Sequence, residues 1–231
     1  MSVEKIVNYL KKQNKKISNQ RIGLLDIIFV NHFLKEINFN SVFEKVNQLL
    51  PDYIIELVDI IYIGEFDYFK KRDITALYLD GAIYISNQQD NEEDLLDDII
   101  HEYAHAVEDG LREKIYSDGM IERNFLSKRE RLDSMLEYEG YDIDEYDLDD
   151  SKHNEELTRF LKDHVGFEKL NNLTKGLFLG AYSTTSLREY FARGFEEFYL
   201  GDRLYLKKVC PYIFSKLSSI EDATEENDYE F

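Results

Sequence analysis

His101-Glu102-Tyr103-Ala104-His105 is the stretch on which the reading of this chain turns. Its two imidazoles stand four residues apart, about 6 Å of rise and a little more than one turn of α-helix. Both rings therefore leave one face and can reach a single ion. Glu102 sits beside the first histidine, where a carboxylate can take a proton from an attacking water instead of ligating the metal. His101 and His105 are the expected Zn2+ ligands and Glu102 the expected general base of a metallopeptidase.

The flanks agree with a helix at this place. Asn91 is a good N-cap, Glu92, Glu93 and Asp94 put negative charge in the first turn, and Gly110 offers a stop. Leu96, Ile99, Ile100, Tyr103 and Val107 recur at helical spacing and predict the buried stripe, with the histidines off it. Asp98 and Glu108, each three residues outside the histidine pair, are expected as solvated helix charges, although that spacing would also let them orient the imidazoles.

The chain has 231 residues, 43% of them hydrophobic and 14% aromatic, which is enough to bury a core and is unlike a disordered chain. Its formal charge of -19 argues against nucleic acid or an anionic membrane as partner, since both call for a cationic face. A protein or peptide substrate with a basic segment would suit it. Cys210 is the only cysteine, so no intrachain disulfide or thiolate cluster can form, and it reads as a small buried residue. No signal-peptide core or membrane-spanning run is visible, and the expected compartment is the cytoplasm.

Residues 1–50 read as a helical region. One amphipathic helix is expected over residues 3–12, a more apolar one over 20–35, and a third opened by the capping-box pattern Ser41-Val42-Phe43-Glu44 and closed before Pro51. The period then changes. Residues 54–63 read as a strand, and Ala76-Leu77-Tyr78-Leu79-Asp80-Gly81-Ala82-Ile83-Tyr84-Ile85 as two strands joined at Asp80-Gly81. An edge strand beside the cleft could hold an extended peptide, and residues 81–86 are the expected candidate. Residues 111–170 carry a dense acidic run and read as a solvated insertion or a lid. His32, His153 and His164 have no partner at ligand spacing and carry no expected role.

Two histidines leave catalytic zinc short of a third protein ligand. Glu189, near the start of the expected aromatic-rich helix in Tyr182-Ser183-Thr184-Thr185-Ser186-Leu187-Arg188-Glu189-Tyr190-Phe191-Ala192, is the best source. By spacing alone it serves equally well as a ligand or as the second half of a capping box opened by Ser186.

The histidine motif, Ile-Tyr-Ile-Gly at positions 61–64, the Ala76 to Ile85 segment and Glu189-Tyr190-Phe191-Ala192 together resemble the lethal-factor-type zinc metallopeptidases, gluzincins that include the Pro-Pro endopeptidases. The resemblance covers roughly residues 53–217, and the histidine motif is its most specific part. It implies that Glu189 is the third zinc ligand. It also implies that Tyr182, seven residues earlier, gives its phenol to the oxyanion, a role consistent with transition-state charge stabilisation. Two features depart from the family pattern: the 84-residue gap from His105 to Glu189, and Arg193 where the family often has a second acidic residue.

The expected protein is thus α+β. A zincin-like catalytic domain over residues 51–231 carries a small sheet, a zinc-binding helix and an acidic insertion around 111–170, and follows the N-terminal helical region of residues 1–50. Its expected activity is zinc-dependent endopeptidase. The alternative from another class is a zinc-stabilised interaction or assembly protein that keeps the fold without proteolysis. Substrate preference and oligomeric state do not follow from the sequence.

Overall fold

The computed structural model describes residues 18–228, which form an α+β fold dividing into two compact units, the first ending at Gly110 and the second beginning at Leu111. The helix expected over residues 3–12 lies outside the described residues.

The first unit opens with a hairpin, β1 (Ser18–Ile22) and β2 (Leu25–Phe29), where the sequence predicts a helix over 20–35. Gly23 turns the chain at φ +61°, a conformation that breaks a helix. Leu25 and Ile27 are buried on one side of β2 with Asp26 exposed between them, the alternation of a strand. The helix α1 (Phe39–Leu49) follows. Its cap is Asn38, whose side chain accepts from the Ser41 amide, so Ser41 lies inside the first turn and does not open the helix. The strand expected over 54–63 is shorter than predicted. Residues Asp52–Ile55 form a helical turn, α2, and β3 runs only from Ile60 to Gly64.

After α3 (Asp67–Arg72), β4 (Ala76–Leu79) and β5 (Ala82–Ser86) form the predicted hairpin, with Asp80 at φ +48° and Gly81 at φ +79°. Two successive left-handed residues are what a tight two-residue hairpin turn requires. The sheet order is β1-β2-β3-β5-β4; β2, β3 and β5 are parallel neighbours, while β1 and β4 are antiparallel edges. This overturns residues 81–86 as the edge. β5 is interior because Ile60 to Gly64 pairs along its whole length, and the edge on that side is β4.

The helix α4 (Glu92–Gly110) packs on β4, β5, α1 and α2. Val42, Phe43 and Val46 of α1, Ile61 and Ile63 of β3, Ile83 and Ile85 of β5, and Leu95, Ile99, Ile100, Tyr103 and Val107 of α4 are each no more than 1% exposed. Each such side chain contributes on the order of 1.5–3 kcal/mol by leaving water. The opposite side of the sheet carries a smaller cluster, Val30, Phe66, Phe69, Ala82 and Tyr84, in which the Tyr62 and Tyr84 rings stack at 5.0 Å.

The second unit is helical: α5 (Arg112–Tyr116), α6 (Met120–Tyr138), α7 (Glu155–Arg159), a π-helical turn (Phe160–Gly166), α8 (Phe167–Leu173), a 3-10 turn (Tyr182–Thr184), α9 (Leu187–Tyr199), α10 (Arg203–Val209) and α11 (Pro211–Asp228). Its first sixty residues are no solvated insertion. Ile115, Ile121, Phe125, Leu132, Leu136, Leu157, Leu161 and Leu170 are fully buried, and Phe125 packs its ring 5.3 Å from Tyr190 of α9. The acidic residues occupy the outer faces of these helices and the loop between α6 and α7, which is how a charge-rich sequence still forms a core. Gly194 lets α9 approach α11, since a Cβ there would meet Ile213 at 2.7 Å.

Candidate metal centre

Asn91 caps α4 as expected, its Oδ1 accepting from the amides of Glu93 and Asp94 at 2.8 and 2.9 Å. Over Glu92–His101 only Leu95, Ile99 and Ile100 are buried; from Glu102 to Glu108 every residue is. The expected stripe is therefore narrower than the real one, and Leu95 takes the fully buried place predicted for the partly exposed Leu96. The His101 and His105 rings stand edge to face with centroids 4.8 Å apart, as four-residue spacing dictates.

Asp98 and Glu108 are not solvated helix charges. Asp98 accepts from Gln89 Nε2 at 2.9 Å and from Thr75; burial raises its pKa, while these hydrogen bonds and the nearby His101 favour the carboxylate. Glu108 is 4% exposed, and its Oε2 lies 3.7 Å from His105 Nδ1. A carboxylate beside Nδ1 serves to orient a ligating imidazole. The i−3 and i+3 spacings were the signal for both residues. Their burial was not visible from it.

Glu102, 5% exposed, accepts through Oε2 a hydrogen bond from the backbone amide of Tyr78 on β4. The bond from Ser86 N to Thr75 O, with the β4–β5 register, makes Leu77 and Leu79 face β5. Ala76 and Tyr78 then turn their backbone groups outward.

Glu189 lies in the first turn of α9. Ser186 does cap this helix, its Oγ accepting from the Glu189 amide at 3.2 Å, so the cap engages the backbone of Glu189 and the carboxylate belongs to the metal group. His101, His105 and Glu189 offer ligand atoms that all lie within 4.8 Å of one another. Two imidazoles and a carboxylate, with a second carboxylate behind one ring, suit a divalent metal ion.

Tyr182 stands in the 3-10 turn ahead of α9, 38% exposed, its ring edge-on to Phe167 at 6.2 Å. Arg193 is paired with Glu196, so an ion pair stands where the family often has an acidic residue. His164 stacks on Phe160 outside the metal group, and the Cys210 thiol is buried beside Lys128 Nζ at 3.4 Å. No helix among the described residues is long and apolar enough to cross a membrane. Compared with protein-family models, with curated proteins and with solved structures, the chain matches none.

Proposed function

We propose that this protein is a zinc-dependent endopeptidase of the lethal-factor type, with a zincin-like catalytic domain. The observation that carries this reading is the gathering of His101, His105 and Glu189, the last of them 84 residues from the nearer histidine, into one metal-binding group beside Glu102. Zinc at that place supplies Lewis acidity, polarising the scissile carbonyl and acidifying water.

The protein's own groups account for the rest. The Tyr78 amide donates to Oε2 of Glu102 and orients this carboxylate, which takes the proton of the attacking water and passes it to the leaving amine. The outward backbone groups of Ala76 on the edge strand β4, beside the Tyr78 amide that holds Glu102, suit an extended peptide. Tyr182 donates its phenol to the developing oxyanion.

The test is Glu102→Gln. It should bind one zinc per chain and lose peptide cleavage by about 10²–10⁴-fold. Undiminished cleavage would overturn the mechanism; a wild-type protein that needs zinc to stay folded and cleaves no member of a peptide library would favour an assembly role.

A further inference from the structure

The acidic run between α6 and α7 does not hang free. Its end, residues 147–151, is strapped to the start of the helix that carries Glu189. Asp147 Oδ1 accepts from the amides of Asp149 and Asp150 at 2.9 and 3.1 Å and so shapes a tight turn. That turn aims the Asp150 carbonyl at Arg129 of α6, whose Nη1 donates to it at 2.6 Å. Arg129 Nη2 donates to the carbonyl of Thr185, at 3.4 Å, one residue before the Ser186 cap. The next residue of the strap, Ser151, accepts from the Leu187 amide at 2.8 Å and donates through Oγ to Glu122 at 2.6 Å. One of the amides that the first turn of α9 leaves without an intrahelical partner is therefore satisfied by the strap.

Arg129 is fully buried. Burial lowers its pKa to about 10 against the pull of Asp147, Asp150 and Asp149, so it remains cationic at neutral pH. An apolar side chain would fill that space without the desolvation penalty of a guanidinium. What arginine adds is two directed donors in a rigid fork, held on two carbonyls from separate segments.

We infer that Arg129 is a positioning residue for the metal centre: by holding the Asp150 and Thr185 carbonyls, it locks the 147–151 strap onto the first turn of α9 and thereby sets where the Glu189 carboxylate stands. The inference rests on Glu189 serving as a metal ligand. The acidic segment accordingly tunes metal affinity through backbone geometry, not through its charge.

Zinc affinity of the full-length chain, read by competition with a chromogenic chelator well below the unfolding transition, tests this. Arg129→Lys and Asp147→Ala should each weaken zinc by about tenfold or more, the size expected when a ligand loses its support. Asp147→Asn, which keeps the acceptor and loses the charge, and Asp144→Asn, which removes an exposed charge outside the strap, should bind as wild type does. A general loss of stability would lower the melting temperature without moving the affinity of the folded protein. If Arg129→Lys does not fold, Asp147→Ala, at an exposed residue, decides. Wild-type affinity in Asp147→Ala, or equal weakening by Asp144→Asn, overturns the inference. Glu189→Ala run alongside separates the two failures: retained zinc there sinks the ligand assignment, whereas lost zinc with an unaffected Asp147→Ala sinks only the strap.

Discussion

The backbone amide of Tyr78, on the edge strand β4, donates to the carboxylate of Glu102 on the helix that carries both histidines. Strand edge and carboxylate are thereby locked to each other, and under the proposed function a peptide laid along β4 would meet a carboxylate whose orientation is already set. Preorganisation of this kind is where much of an enzyme's advantage over solution lies.

Glu102→Asp withdraws the carboxylate by one methylene and breaks that register. A displacement of about 1 Å costs on the order of 10²-fold in rate. Turnover of a peptide substrate should fall by about that factor while zinc content, measured on the same samples, stays at one per chain.

Glu108→Gln and Asp98→Asn remove the carboxylate charges that act on the two imidazoles. Each should weaken zinc about 10- to 100-fold without abolishing the site, because ligand orientation is lost and the ligands remain. Chelator competition gives the number; wild-type affinity in both variants would return these carboxylates to a purely structural role.

Tyr103 lies between the histidines with its side chain fully buried and its hydroxyl without a hydrogen-bond partner among the described residues. Tyr103→Phe removes a desolvated group and no bond. Urea unfolding of the metal-free protein should show unchanged stability or a gain of up to about 1 kcal/mol, with zinc affinity unaltered.

Burial pushes the Cys210 thiol above its ordinary pKa of 9.0. In the unfolded chain the thiol ionises first, so the native state binds more protons above pH 9 and stability falls as pH rises through that range. Wild type should therefore lose stability relative to Cys210→Ala above pH 9, and the two curves should run parallel below it. Alkylating reagent should label Cys210 in denaturant and leave it unlabelled in the native protein.

Gly194→Ala places a methyl group 2.7 Å from Cγ2 of the fully buried Ile213. Helices α9 and α11 must separate to admit it, at a cost of about 1–3 kcal/mol by chemical denaturation.

The elements that were legible in the sequence are those with local signals. The Asn91 cap and acidic first turn bound α4, Asp80-Gly81 marks the β4–β5 hairpin, and Ser186 opens α9. The misread segments are short apolar runs. Over residues 20–35, helical and strand periods fit almost equally, and the choice fell to Gly23 and to pairing with β3, a partner more than thirty residues away. The acidic stretch misled for a related reason: net charge dominates its composition, while the buried leucines and phenylalanines are spread thinly enough to reveal a core only once the helices pack.

What the sequence determined by itself is the pair of imidazoles and the neighbouring carboxylate on one helix, since four-residue spacing is local geometry that no tertiary contact need enforce. The tertiary structure decided the rest of the centre. It chose which strand is the edge, buried Glu108 beside His105, and put Glu189 in one metal-binding group with the histidines. Each of these depends on which distant segments pack together, and such contacts are set by burial and pairing across the whole chain, so they leave no fixed spacing in the sequence to read.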